Sequence, residues 1–179
     1  MQQMILLERA NKEEFEVIKQ EIEAAFLKGL HNQFPQHETC AQFAPVPSAA
    51  DIEQLLLAKD AVIYRFVFNE TNVGGAVLKL NDLTKRHVVQ FFYINASAHS
   101  QGIGTKAWQA IEEAHPDTLV WELFTPYFEK RNIHFYVNKC GFNIVEFRHK
   151  GNPGPNTVVD EEMPDAEYEF FRFEKVMGN

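Results

Sequence analysis

The fold is decided by the stretch Val88–Ala114, which reads VVQFFYINASAHSQGIGTKAWQAIEEA. Its first part is rich in β-branched and aromatic residues, which favour strands. From Ile103 onward the apolar residues recur at helical spacing instead. Gly102 and Gly104 lie at the junction between the two patterns. The stretch therefore predicts a strand, a turn that contains glycine, and a helix that begins at the turn.

The turn before this helix has the features of an anion-binding site. The first turn of a helix leaves backbone N–H groups unpaired and carries a partial positive charge. Glycines at such a turn let the backbone approach an anion closely. Residues 101–105 are therefore a candidate cradle for a phosphate or pyrophosphate. A simpler interpretation also stands, in which the glycines only form a tight turn between strand and helix.

A dinucleotide-binding fingerprint is a further alternative, because Gly102, Gly104 and Ala107 spell the pattern G-x-G-x-x-A. That fingerprint places its first glycine directly at the end of the strand, whereas residues 96–101 intervene here. It also opens a large parallel unit, and only 75 residues follow Gly104. We therefore favour the phosphate cradle over the dinucleotide fingerprint.

The remaining elements are predicted from hydrophobic spacing and turn residues. Strands are expected near residues 4–8, 62–69, 74–80, 88–95, 118–124, 142–147 and 167–176. Helices are expected near residues 11–26, 51–56, 103–114 and 129–139, and residues 31–48 are expected to form a long loop. The order is then β-α-α-β-β-β-α-β-α-β-β. An antiparallel meander followed by β-α-β units implies a mixed sheet flanked by helices.

Two segments resemble the motifs of a known enzyme family. His99–Gly104 resembles the acetyl-CoA motif of the GNAT superfamily of N-acetyltransferases, whose pattern is Gln/Arg-x-x-Gly-x-Gly/Ala. Both glycines match, and His99 stands where the family usually has Gln or Arg. Residues 134–142, HFYVNKCGF, resemble its second motif, a helix that bears Phe-Tyr and ends in Gly-Phe. The resemblance covers most of the chain and implies a single GNAT-like domain over residues 1–179. The implied α/β (α+β) fold is a mixed, mostly antiparallel twisted sheet of about seven strands with about four helices.

The resemblance implies transfer of the acetyl group of acetyl-CoA to a primary amine of a small molecule or peptide, by direct attack in a ternary complex. Backbone N–H groups of residues 101–105 would hold the pyrophosphate, and the backbone of residues 92–94 would pair with the pantetheine arm. The side chains of those strand residues are expected to pack in the core. The implied cofactor-binding residues are Phe92, Tyr93, Ile94, His99, Gln101, Gly102, Ile103, Gly104, Thr105 and Asn132. Acetyl-CoA is the implied cosubstrate, and no metal is implied.

Tyr136 is the candidate general acid, because of its place in the second motif. A phenol with a pKa near ~10 is protonated at neutral pH and can donate to the leaving thiolate. Asn132 lies four residues earlier, which predicts that it shares a helix face with Tyr136. The family more often has this Asn seven residues before the Tyr, where this chain has Glu129.

Glu122 is the candidate general base. An amine with a pKa near ~10.4 must lose a proton before it attacks, so a proton acceptor is valuable at neutral pH. Glu122 is expected in a strand beside the pantetheine slot, between the apolar residues Trp121 and Leu123. Partial desolvation there would raise the pKa of its carboxyl group. Two alternatives stay open: an outward-facing Glu122 without a catalytic role, and a water held by Gln90.

The amino-acid composition of the chain limits the kinds of partner that it can bind. The formal net charge is −8, which disfavours nucleic acid and suits a cationic acceptor. No apolar run is long enough to span a membrane, and no signal peptide is expected. Two cysteines form neither a disulfide framework nor a metal-binding spacing, which suits a cytoplasmic protein. The acceptor amine is not identified, and a homodimer is left open.

Two other functions are compatible with the sequence. His99 and the displaced Asn depart from the family pattern, so a module that binds CoA without catalysis is one alternative. The glycine spacing leaves a nucleotide-dependent oxidoreductase as the other.

Overall fold

The structure, a computed structural model, describes residues 4–33, 47–98 and 102–178. Its strands are β1 (Leu6–Arg9), β2 (Ala61–Phe68), β3 (Thr71–Lys79), β4 (Arg86–Ile94), β5 (Val120–Pro126), β6 (Asn143–Arg148) and β7 (Phe170–Val176). Its helices are α1 (Phe15–Gln33), α2 (Ala49–Leu56), α3 (Ile103–Ala114) and α4 (Lys130–His134), and a π-helical turn, Phe135–Lys139, continues α4. The predicted order of strands and helices is confirmed.

The strands form a seven-stranded sheet in the order β1-β2-β3-β4-β5-β7-β6. Four neighbouring pairs, β1–β2, β2–β3, β3–β4 and β6–β7, are antiparallel. The predicted GNAT-like sheet with four helices is therefore confirmed. The chain forms two compact units, one of Met1–Ala25, Pro47–Trp121 and Val176–Asn179, the other of Phe26–Val46 and Glu122–Lys175. The single domain over residues 1–179 stays a prediction.

Two helix starts follow the local sequence closely. Asn11 and Glu14 form a capping box before α1, as the sequence predicts, with a 3-10 turn between them and the helix. Ser48 and Asp51 form a second capping box at α2. Each box pairs backbone N–H groups that a helix start leaves free. The prediction of a loop from residue 31 was wrong at its beginning, because α1 continues to Gln33; residues 34–46 lie outside the described part of the chain.

The turn between β2 and β3 is shorter than predicted. Asn69 and Glu70 have φ angles of 49° and 61°, so both adopt the left-handed conformation. Two such residues make a tight hairpin whose twist matches that of the flanking strands. Thr71 therefore already pairs with Phe68 inside the strand ladder, and β3 begins three residues before the predicted position at Gly74.

The core of the first unit is a cluster of aromatic rings. Trp108 on α3 and Trp121 on β5 are buried, with ring centroids 5.3 Å apart. His87 packs against Trp121, also at 5.3 Å, and is only 2% exposed. Its Nδ1 accepts a hydrogen bond from the backbone N–H of Asn81 at 3.1 Å. Burial lowers the pKa of His87 below its ordinary value, and burial lowers the pKa of the neighbouring His115 in the same way.

We expect the free energy of unfolding to decrease as the pH falls from 7.5 to 6.0. A histidine with a lowered pKa in the folded state binds its proton mainly in the unfolded state, so acidification through about 6.5 favours unfolding. Urea denaturation at both pH values measures this decrease. His87→Gln should reduce it, whereas His31→Gln, at an exposed position, should preserve it. Equal decreases in wild type and His87→Gln would contradict the assignment.

Candidate active site

Strand β4 carries a bulge at Gln90. Val77 of β3 lies opposite Phe91, and Leu78 lies opposite Val89, so Gln90 is the extra residue. A bulge interrupts the hydrogen-bonded ladder locally and bends the strand. The backbone of β4 is therefore irregular just before the segment predicted to bind the pantetheine arm.

The side chains of that segment pack within the first unit, as expected. The Phe92 ring lies 5.3 Å from the Phe66 ring and 6.3 Å from the Trp108 ring, measured between centroids. The hydroxyl of Tyr93 donates a hydrogen bond to Glu21 Oε2 at 2.7 Å. Burial, together with this bond, raises the pKa of Tyr93 well above its ordinary value. The side chains of Phe92 and Tyr93 therefore make contacts inside the first unit. Pantetheine binding by the backbone of residues 92–94 stays a prediction.

Helix α3 begins at a glycine. Gly102 is its N-cap, with φ 68° and ψ 16°, and supplies no side chain to cap the helix. The first backbone bond of the helix runs from Lys106 N–H to the Gly102 carbonyl, at 3.1 Å. The N–H groups of residues 103–105 therefore have no acceptor within the helix. This start differs from the capped helix starts at Asn11 and Ser48 and fits an anionic group such as a diphosphate.

The left-handed conformation is what requires glycine at position 102. A Cβ atom there would meet no atom within 4 Å, so space does not limit the residue. Non-glycine residues adopt positive φ at an energetic cost. The predicted cofactor residues His99 and Gln101, which precede this turn, lie outside the described part of the chain.

Tyr136 lies in the π-helical turn after α4. Its ring packs against Phe135, Phe142 and Phe173, with centroid distances of 5.3, 5.8 and 6.0 Å. The residue is 7% exposed. Burial first, and then the charges of Cys140 and Glu129, raise the pKa of Tyr136 above its ordinary value. The phenol therefore keeps its proton across the physiological range and is a hydrogen-bond donor.

The helix face shared by Asn132 and Tyr136 stays a prediction, as does cofactor binding by Asn132. Asn132 is exposed, whereas Tyr136 is buried. The backbone changes from an α-helix to a π-helix at Phe135, and Cys140 N–H bonds to the Phe135 carbonyl five residues back. The π turn is wider than an α turn, so the spacing of side chains around this helix departs from that of a regular α-helix.

The prediction of apolar surroundings for Glu122 was wrong. Successive residues of a strand point to opposite faces, so Trp121 and Leu123 are buried on the other face. Arg172 of β7 is 2.9 Å from Glu122 Oε2, 2.8 Å from Glu146 Oε2 and 2.7 Å from Glu174 Oε1. Glu122 thus belongs to a network of three carboxylates around one guanidinium, and its role as a base stays a prediction.

Glu129, immediately before α4, is a functional candidate to which the sequence pattern assigned no role. It is 9% exposed, and burial raises the pKa of its carboxyl group. Its side chain does not cap the helix it precedes. The signal was available in the sequence, because Glu129 occupies the position seven residues before Tyr136 where the family more often has Asn.

Among residues 4–33, 47–98 and 102–178, no group of three or more His, Cys, Asp or Glu side chains could hold a metal ion. Within the same residues, none of the helices combines the length and the apolar character of a membrane span.

Comparison with known proteins identifies the family. The model of the acetyltransferase (GNAT) family matches residues 25–142, about two thirds of the chain. The chain belongs to this family. A relative, the uncharacterized protein YrkN of Bacillus subtilis (strain 168), is 41% identical over 177 residues, which cover 97% of this chain and 94% of that protein.

Solved structures share the GNAT fold with this acetyltransferase. Spermidine N-acetyltransferase from Vibrio cholerae, in complex with CoA and spermine, aligns with a TM-score of 0.66 and 10% identity, over 97% of this chain and 95% of that one. The ribosomal-protein-S18-alanine N-acetyltransferase from Escherichia coli aligns with a TM-score of 0.65 and 11% identity, over 98% and 97%. Proteins with very different acceptors therefore resemble this GNAT acetyltransferase equally well in fold.

Proposed function

We propose that this protein is an N-acetyltransferase that moves the acetyl group of acetyl-CoA to a primary amine of a small molecule or peptide. The observation that carries the proposal is the start of α3 at Gly102, an N-cap without a side chain, within the residues that match the family. Buried Tyr136 supports it with a protonated phenol in the second motif. The net charge of −8 adds support, since an acidic protein attracts cationic amines.

Each part of the chain has a defined task in this proposal. Bound acetyl-CoA supplies an acetyl group activated as a thioester. The N–H groups of residues 103–105 hold its diphosphate, and the backbone of residues 92–94 holds the pantetheine arm. Tyr136 donates a hydrogen bond to the sulfur as negative charge develops on it. Since the pKa of Tyr136 is raised above that of a thiol, near ~8.5, the phenol keeps its own proton and acts only as a donor.

An assay with a panel of amines tests the proposal. Polyamines, amino acids, aminoglycosides and peptides with a free N-terminus are incubated with acetyl-CoA and the protein. Thiol release and a product heavier by one acetyl group, found by mass spectrometry, are expected for at least one class. Binding of CoA without acetyl transfer to any amine would indicate a non-catalytic module. A thermal shift with NAD but not with CoA would indicate an oxidoreductase.

Gly102→Val should weaken CoA binding by at least about tenfold, because a β-branched residue disfavours the left-handed conformation that aims the amides. Gly178→Val is the matched control. A Cβ atom at either position meets nothing within 4 Å, but only Gly102 has a positive φ. Calorimetric titration with CoA measures both variants. Equal affinities of the two variants for CoA would contradict a role of this turn in binding CoA.

A cytoplasmic location and a homodimer remain predictions from the sequence. Cell fractionation and light scattering of the purified protein test them.

A further inference from the structure

Glu129 is a carboxylate packed against a helix backbone. A Cβ atom added to Gly29 of α1 would overlap Glu129 Oε1 and would lie 3.2 Å from Cδ and 3.4 Å from Oε2. A side chain at position 29 would displace the carboxylate from this place. The carboxylate of Glu129 therefore packs directly against α1 at Gly29.

The carboxylate of Glu129 has no hydrogen-bond or ion-pair partner within residues 4–33, 47–98 and 102–178. Burying a charged group without a partner costs roughly several kcal/mol of folding free energy, unless a group of opposite charge or a hydrogen bond compensates it. Both backbone groups of Glu129 are hydrogen-bonded. Its N–H donates to the Pro126 carbonyl, and its carbonyl accepts from the N–H of Ile133. Among the described residues nothing bonds to the Glu129 carboxylate, which leaves it available to a bound group.

Glu129 and the proposed hydrogen-bond donor influence each other electrostatically. The Glu129 charge is one of the causes that raise the pKa of Tyr136, after burial and the charge of Cys140. A charge has a larger effect on a neighbouring pKa in a region of low dielectric constant than in water. Glu129 and Tyr136 both belong to the second unit.

We propose that Glu129 binds the ammonium group of the acceptor and accepts one of its protons, an inference that rests on the proposed N-acetyltransferase function. The ammonium, R–NH3+, transfers a proton to the carboxylate and becomes R–NH2. The nitrogen then forms a bond to the acetyl carbon as the carbon–sulfur bond breaks. A second proton passes from the nitrogen to the sulfur. The products are the amide, the thiol and a protonated Glu129, which returns its proton to water.

The environment of Glu129 suits this task. Burial raises the pKa of Glu129, and Arg131 on α4 opposes that shift. A carboxyl group with a raised pKa is a stronger proton acceptor than an exposed one. The Glu129 charge also acts on Tyr136 of the π-helical turn, while Lys28 and His31, one residue before and two residues after Gly29 on α1, are exposed.

The test is Glu129→Gln, which keeps the shape and removes the charge and the basicity. We expect kcat/KM for the amine to fall by about 100-fold, as is typical when an acid–base group is removed. Calorimetry with CoA present should show at least about tenfold weaker amine binding, whereas CoA affinity should not change. The matched control is Glu167→Gln, which alters a half-buried carboxyl group in the same unit whose pKa burial also raises. The control should behave as wild type.

The pH profile gives a readout that a structural role would not change. In wild type, kcat/KM should fall as the pH drops through the raised pKa of Glu129, because the protonated form can neither bind an ammonium nor accept its proton. Glu129→Gln should lose this dependence. Glu129→Asp keeps the charge on a shorter chain and should regain part of the activity, which separates chemistry from a folding defect.

The outcomes are distinguishable. If wild type acetylates an amine and Glu129→Gln retains its rate and pH profile, Glu129 is not the acceptor site and the proposed function stands. If wild type acetylates no amine, the proposed function and this inference both fall.

Discussion

Tyr136→Phe lowers kcat for acetyl transfer by about 10- to 100-fold and leaves the affinity for CoA within about twofold. The variant removes only the hydroxyl group, so the contacts of the ring with Phe135, Phe142 and Phe173 are kept. The loss appears in kcat because the hydrogen bond to sulfur strengthens only as negative charge develops there. Single-turnover thiol release, measured together with calorimetric titration of CoA, separates the two quantities.

Tyr127→Phe is the control for this experiment. Tyr127 is 41% exposed, lies in the same unit, and contacts Phe147 and Phe171 through its ring. Loss of its hydroxyl group should change neither kcat nor CoA affinity. An unchanged kcat in Tyr136→Phe, with the protein folded to the same stability, would remove the phenol from the mechanism.

Arg172→Met destabilises the protein by about 2 kcal/mol. Arg172 bonds to Glu122, Glu146 and Glu174 at 2.7–2.9 Å, and its removal leaves three carboxylates close together without a cation. Removing one partner from a buried pair costs about 3–5 kcal/mol. We expect less here, because the Arg172 side chain is still 22% exposed and solvent screens part of the repulsion. Urea denaturation measures the difference.

Arg148→Met is the control. Among the described residues, Arg148 makes one longer ion pair, with Glu146 at 3.5 Å, and its guanidinium lies 4.5 Å from the centroid of the Phe124 ring. The loss of Arg148 should cost less than about 1 kcal/mol. The hydrogen bond from Arg172 lowers the pKa of Glu146, so its stabilising contribution is present at neutral pH and is lost as the pH falls through that lowered value. The stability gap between wild type and Arg172→Met should therefore shrink on acidification. A gap that is constant with pH would contradict the network.

Local patterns predicted much of the fold because they act over a few residues. Asn11 with Glu14 and Ser48 with Asp51 mark helix starts through bonds between groups two or three residues apart. The spacing of apolar residues behind Ile103 predicts the buried face of α3 in the same way. Where the prediction erred, as at Asn69 and Thr71, the turn was tighter than the composition indicated.

The site residues were harder to predict because their surroundings come from distant parts of the chain. Glu122 meets Arg172, which is 50 residues away in sequence. Glu129 packs against Gly29, on a different helix. No local pattern relates either pair, since sequence spacing describes which face a residue occupies and not what faces it.

The sequence by itself determined the order of strands and helices, the glycine-led start of α3, and the family resemblance, because each depends on backbone conformations and on spacing within one element. Only the tertiary structure decided the surroundings of each carboxylate. Glu122 is placed beside a guanidinium, whereas Glu129 is buried beside Gly29. The physical reason is that the charge state and reactivity of a side chain depend on its desolvation and on neighbouring charges, which long-range packing brings together.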